Sequence, residues 1–139
     1  MTPQGILLVE DNPDDQVLTL RVLKKHNIPN EVTVASDGQE ALDYLFADDD
    51  GCRFGLILLD FNLPKVDGVE VLRRIRSTER TRLVPVVMLT SSKLAEDVRA
   101  SYDGGANAYV RKPVNLSEFT EAVRTLASFW LILNEPVPR

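Results

Sequence analysis

Along this chain, short apolar runs that end on charged or hydroxyl residues alternate with longer stretches whose apolar positions return every three or four residues. The first pattern suits parallel strands buried on both faces, the second helices that cover a sheet. Residues 5–9 stop at Glu10 and Asp11 and predict the first strand. Asn12 is of a helix-capping type, Pro13 suits a first helical position, and Asp14 and Asp15 sit where the helix dipole favours negative charge, so a helix is predicted to about Lys25. Residues 31–35 carry alternating β-branched side chains, Asp37-Gly38 turns the chain, and Ala41, Leu42, Leu45 and Phe46 fall at helical spacing, giving a second strand and helix. An acidic loop is expected over 48–55, with Asp48, Asp49 and Asp50 solvated, before the most continuous apolar run, 56–59, which ends at Asp60. Leu63-Pro64 and Asp67-Gly68 mark a loop, Val69, Leu72 and Ile75 fit a third helix, and residues 85–89 form a buried strand reaching Thr90. Residues 94–102 predict a fourth helix, 108–110 a short fifth strand, and 116 onwards a final helix with Leu116, Phe119, Val123 and Leu126 inward.

Five strands alternating with five helices predict an α/β fold, a parallel sheet with helices on both faces, because each right-handed crossover must bury its apolar stripe. Such sheets bind ligands beyond the carboxyl ends of their strands. Glu10, Asp11, Asp60, Thr90 and Lys112 all lie at such ends.

Composition narrows the class. A chain of 139 residues, 44% hydrophobic and 27% charged, has the size and balance of one globular domain. We expect that domain to span residues 1–127, with 128–139 extending the last helix into a tail and no separate output domain. A net charge of -5 argues against attraction to phosphate backbones, so no nucleic-acid partner is expected. No apolar run reaches membrane-spanning length and no export signal is encoded, so no membrane association is expected. Cys52 is the single cysteine, which excludes an internal disulfide and fits a reducing, cytoplasmic setting. His26 follows Lys24 and Lys25 near a helix C-terminus, where a cation meets the dipole favourably, and is not taken as a ligand.

Three carboxylates at one edge resist joint ionisation unless a cation lies between them. An oxygen-only cluster without His or Cys suits Mg²⁺, which binds through one or two carboxylates plus phosphate oxygen. Phosphoryl transfer to a carboxylate needs a placed nucleophile and neutralised phosphoryl oxygens, for which one metal, one lysine and one hydroxyl suffice. Each residue alone has an ordinary explanation: Glu10-Asp11 as a loop before a cap, Thr90 as a strand end, Lys112 as a solvated lysine, Tyr109 as a packing aromatic. Their recurrence at successive strand ends is what packing does not require.

The segments ILLVEDN, LILLDFNLPKVDG, VVMLTSS and AYVRKPVN, in that order and spacing, resemble the response-regulator receiver family over almost the whole chain. The resemblance implies a flavodoxin-like receiver fold with sheet order 2-1-3-4-5, acting in two-component signalling as a phosphoacceptor switch rather than an enzyme. It implies that Asp60 accepts a phosphoryl group from a sensor histidine kinase. Asp11, Asp60 and the backbone carbonyl of Asn62 would hold Mg²⁺, and Glu10 would act through water. Lys112 would contact a phosphoryl oxygen, Thr90 would move its hydroxyl toward the phosphate, and Tyr109 would turn inward behind it. Lys112-Pro113 matches the family's usual cis peptide, and the side chains of Asn62 and Ser92 would adjust phosphate lifetime.

Rival functions separate on the same residues. A flavodoxin-like electron carrier needs a hydroxyl- and Gly-rich loop after strand one, where Glu10, Asp11, Asp14 and Asp15 would repel a flavin phosphate. A haloacid-dehalogenase-type phosphatase resembles Asp-x-Asp, whereas here Asp60-Phe61-Asn62 supplies no general acid. A phosphorylation-independent pseudo-receiver is the remaining alternative, and it would not need the intact acid and lysine set.

Output is expected through protein contact. SFWLILNEPVP, after NLSEF, is similar to the tails of small response regulators paired with bacterial phytochrome-type kinases. Val17, Leu18, Leu20, Val22 and Leu23 spread round the first helix and mark it as the kinase-facing surface. Phe129, Trp130, Leu131, Ile132 and Leu133 point in every direction on a helix, so about two can join the inward stripe. The rest predict a homodimer on the final helix, the fifth strand and the tail. The alternative is a tail folded over its own domain, with Pro136 and Pro138 directing the chain.

Overall fold

The structure, a computed structural model, describes residues 5–25, 30–47 and 53–137. Expectations for His26, the Asp48, Asp49 and Asp50 run, Cys52 and Pro138 fall outside the described residues. The strands are β1 (Gly5–Val9), β2 (Val32–Ala35), β3 (Phe54–Leu59), β4 (Val86–Thr90) and β5 (Ala108–Arg111). The helices are α1 (Pro13–Lys25), α2 (Gly38–Leu45), α3 (Gly68–Ser77), α4 (Ala95–Asp103) and α5 (Leu116–Ser128), the last running into a π-helical turn, Phe129–Leu133. All ladders are parallel, in the order β2-β1-β3-β4-β5.

Alternation along the central strands divides the core. Leu7, Val9, Ile57, Leu59, Val86 and Met88 pack with Ala41, Leu42, Leu45, Val71, Leu72 and Ile75 of α2 and α3. Ile6 and Leu89 meet Val22 and Leu23 of α1 and Phe119, Val123 and Ala127 of α5 on the opposite face. α4 is covered least: its one buried residue is Ser101.

Helix starts follow side-chain caps. Asn12 Oδ1 accepts from the Asp14 and Asp15 amides at 2.9 and 3.1 Å, Asp37 from Glu40 at 2.7 Å, Asp67 from Glu70 at 3.0 Å and Asn115 from Glu118 at 3.2 Å. Each removes an unpaired donor, and the carboxylates of Asp37 and Asp67 also put negative charge near a helix N-terminus. α4 differs, because Leu94 holds its cap position without a side-chain bond.

Several local expectations need correction. β3 begins at Phe54, inside the expected 48–55 loop, because Gly5 pairs with Phe54 and its amide donates to the Arg53 carbonyl at 2.9 Å. Val71, not Val69, joins Leu72 and Ile75 in the buried stripe of α3. Leu116 is 59% exposed, and the inward row is Phe119, Val123 and Ala127, with Leu126 half-buried. As the first residue of α5, Leu116 projects back past the end of the sheet, since helical side chains lean toward the N-terminus. No peptide bond among the described residues is cis, so Lys112-Pro113 is trans, the isomer favoured for X–Pro bonds by about 0.5–1 kcal/mol.

Candidate functional site

The ladders bring the ends of β1, β3, β4 and β5 to one edge. The Asp60 amide donates to the Val9 carbonyl at 3.1 Å, the Glu10 amide to Ala35 at 3.0 Å and the Lys112 amide to Thr90 at 2.8 Å. Each bond continues a parallel ladder one residue beyond the strand, so the polar side chains emerge at nearly one level. They line a cleft with Glu10, Asp11, Asp15, Asp60, Asn62, Ser91 and Lys112.

Glu10, Asp11 and Asp60 each offer a carboxylate oxygen, and the three oxygens lie within 4.8 Å of one another. Glu10 and Asp60 are buried, whereas Asp11 is exposed. The Lys112 ammonium donates to Glu10 and reaches Asp15 at 3.1 Å and Asp60 at 3.4 Å. Burial pushes the Glu10 carboxyl up to about 7, against the opposing hydrogen bond from Lys112. Burial acts to lower the Lys112 pKa, but Glu10, Asp60 and Asp15 together hold it above the usual lysine value. The ammonium therefore stays charged in a nearly enclosed position, where a charge without partners would be costly.

One ammonium faces four carboxylates, those of Glu10, Asp11, Asp15 and Asp60. The excess negative charge and the all-oxygen donor set fit a hard divalent cation.

The loop after β3 is shaped for close approach. A Cβ on Gly68 would lie 2.3 Å from the Asp60 carbonyl oxygen, and one on Gly38 would lie 1.7 Å from that of Val66. The Gly68 amide closes the loop by donating to Phe61 at 3.0 Å. Lys65 adopts a φ of 68°, a conformation that costs an L side chain, and its ammonium lies 3.4 Å from Asp37. The loop after β3 is thus held closely at both ends, against α3 at Asp60 and against α2 at Val66. Asn62 is exposed, and its amide points to Asp60 Oδ1 at 3.4 Å.

Thr90 is fully buried and Ser91 takes the place on the cleft wall. The Thr90 hydroxyl oxygen accepts from the Ser92 amide at 3.3 Å, and the half-buried Tyr109 donates its hydroxyl to the Ser92 carbonyl at 3.1 Å. The expected residues are therefore brought together in two groups, Glu10, Asp11, Asp60 and Lys112 in the cleft and Thr90 and Tyr109 joined through Ser92.

Three contributors to the site carry no distinguishing local signal in the sequence. Asp15 carries a sequence signal only as negative charge after strand one, although it lies four residues after Asp11 and so can return to the same side. Gln16 donates to the Glu10 carbonyl at 2.5 Å and to Ser36 at 3.2 Å. Asp97 accepts from the Ser92 hydroxyl at 2.5 Å. Polar residues in first turns are so common that no local signal set these apart.

Comparison with known proteins gives the family and the fold. Response regulator Rcp1 of Synechocystis is 42% identical over 132 residues, covering 93% of this chain and 90% of Rcp1. The crystal structure of its Mn²⁺-bound form superposes with a TM-score of 0.91 at 40% identity, covering 98% of this chain and all of that one. The phosphorylated cyanobacterial phytochrome response regulator RcpA gives 0.91 at 39% identity, with 98% and 99% coverage. The bacteriophytochrome response regulator AtBRR is 48% identical, with a TM-score of 0.72 and coverage of 96% and 99%. The response regulator receiver domain profile matches residues 6–124, and the chain belongs to that family.

Proposed function

We propose that this chain is a Mg²⁺-dependent phosphoacceptor switch of two-component signalling, with Asp60 as the acceptor. The supporting observation is a buried Asp60 carboxylate facing Lys112 within an acidic group that one ammonium cannot neutralise. An Asp60 carboxylate oxygen attacks the phosphorus of a kinase phosphohistidine. The P–O bond forms as the P–N bond breaks, and the imidazole departs with the electron pair. Lys112 pairs with a phosphoryl oxygen, and Thr90 donates its hydroxyl once it leaves Ser92. Asp11, Asp60 and the Asn62 carbonyl would hold Mg²⁺, with Glu10 acting through water; the ion supplies positive charge where phosphoryl charge gathers. The product is the modified chain itself, so the protein is a switch and not an enzyme acting on a separate substrate.

The partner is a cytoplasmic sensor histidine kinase of the bacterial phytochrome type, in keeping with the relatives RcpA and AtBRR. Val17 on α1, 51% exposed, and Val114, fully open beside the cleft, give it apolar contacts. Leu20 is half-buried, which makes Val17 the cleaner probe. A charged residue at Val17 should slow transfer from the kinase and leave uptake from acetyl phosphate unchanged. Equal transfer rates would remove α1 from the interface.

Residues 1–127 form the switching unit, and 128–139 pair it with a second copy. Trp130 and Leu131 pack against the domain's own sheet, as about two of the five apolar residues were expected to do, while Phe129, Ile132 and Leu133 remain exposed. Each buried aliphatic side chain there would contribute about 1.5–3 kcal/mol. Light scattering should give twice 15.6 kDa, falling to the monomer in Ile132→Glu/Leu133→Glu. A native monomer at all concentrations would exclude the pairing.

Incubation with acetyl phosphate and Mg²⁺ should label the native chain, and neither Asp60→Asn nor the chelated protein should be labelled. Undiminished labelling of Asp60→Asn would reject the acceptor assignment. No labelling of the native chain by acetyl phosphate or kinase would instead favour a phosphorylation-independent interaction module.

A further inference from the structure

Ser92 is the meeting point of four hydrogen bonds, and they tie together elements that the phosphoacceptor reading needs to move. Its amide donates to the Thr90 hydroxyl oxygen at 3.3 Å and its carbonyl accepts from Tyr109 at 3.1 Å. Its own hydroxyl donates to Asp97 at 2.5 Å and accepts weakly from the Leu94 amide at 3.4 Å. Asp97 lies in the first turn of α4, the helix whose cap residue supplies no side-chain bond. The Ser92–Asp97 pair thus performs at α4 the restraining task that Asn12, Asp37, Asp67 and Asn115 perform at the other helices.

We propose that Asp97 is a positioning residue that holds the β4–α4 loop in a resting arrangement, and that this bond opposes the shift of Thr90 toward a phosphoryl group on Asp60. The inference rests on the phosphoacceptor reading and adds a regulatory role to it. Thr90 cannot swing its hydroxyl toward the cleft and keep the Ser92 amide bond. Once that bond breaks, the loop remains anchored by Asp97 and by Tyr109. A charge-assisted hydrogen bond to Asp97 is the stronger anchor, because a carboxylate acceptor is worth more than a neutral carbonyl. Asp97 does not line the cleft, the Lys112 ammonium bonds Glu10, Asp15 and Asp60 rather than Asp97, and the Asp97 carboxylate meets the loop through the Ser92 hydroxyl, so its influence passes through Ser92.

Linkage makes this measurable. A restraint that favours the resting arrangement lowers the fraction competent to bind a phosphoryl mimic, and its removal tightens apparent binding by that same factor. Beryllium fluoride with Mg²⁺ is a suitable probe, since its adduct on a carboxylate does not report phosphate lifetime. By titration calorimetry, Asp97→Ala and Ser92→Ala should each bind about tenfold more tightly than the native chain, the lower end of the size expected for one hydrogen bond to a charged group. The double variant should gain no more than either single one, and Asp97→Asn, whose amide oxygen still accepts, should gain less. Equal or weaker binding by Ser92→Ala, or additive effects in the double variant, would overturn the inference. Should Asp97→Ala disturb α4, Ser92→Ala still decides, because it leaves the helix charge in place. Failure of the native chain to bind beryllium fluoride would overturn the phosphoacceptor reading instead.

Discussion

The wall of the cleft built on β1 and β3 is restrained by backbone packing, whereas the wall built on β4 is restrained by exchangeable side-chain bonds. After β3, Gly68 and Gly38 leave no room for a methyl group, and Asp67 caps the helix that follows. After β4, Thr90, Ser92, Tyr109 and Asp97 form a chain of hydrogen bonds leading to an uncapped helix with one buried residue. Close packing is stiff because any displacement creates overlap, while a hydrogen bond can be traded for another at small net cost. Fixed and movable parts of the molecule therefore meet across the cleft: the acceptor sits on the stiff side and the responding residues on the compliant side.

Substitutions can break or sharpen this contrast. The largest effect is expected from Gly68→Ala, whose methyl would overlap the Asp60 carbonyl; it should destabilise the fold by about 1–3 kcal/mol and impair phosphoryl uptake. Chemical denaturation checks the first part, and an unchanged midpoint would mean that the β3 wall yields. Asp67→Ala should cost about 1 kcal/mol through loss of the cap. Leu94→Asp, which offers α4 the cap it lacks, should stabilise that helix by up to about 1 kcal/mol, read as slower amide exchange confined to residues near 95–103. Faster exchange there would show that the α4 start is already well held. The smallest effect belongs to Lys65→Gly, which relieves a positive φ but forfeits an ion pair whose lysine is largely exposed; a net gain below about 1 kcal/mol is expected in thermal melting. A loss would assign more weight to the Lys65–Asp37 contact than exposure suggests.

The contrast also explains which parts were legible in the sequence. Burial on both faces forces continuous apolar runs, so β1, β3 and β4 announced themselves, and their sharp endings placed Glu10, Asp11, Asp60 and Thr90 at one edge. Cap chemistry is local, and Asn12 with Pro13 marked the start of α1. Leu116 misled because helical spacing cannot tell where the sheet beneath ends. Lys112 with Asp15, 97 positions apart, and Ser92 with Asp97 depend on where folded elements meet, and no periodicity encodes that. Thr90 lay at the expected strand end, yet its placement behind a wall formed by Ser91 is a property of the folded loop.

Trp130 is the single tryptophan of the chain and packs against the core cluster that includes Leu56 and Leu58 of β3, the strand that delivers Asp60. Its indole is consequently a built-in optical probe of the tail. Ion or beryllium fluoride binding in the cleft should leave its emission maximum in place, whereas release of the tail into water should shift it to the red. A shift on cleft occupancy would reveal that the tail and the cleft communicate, with no label added to the molecule.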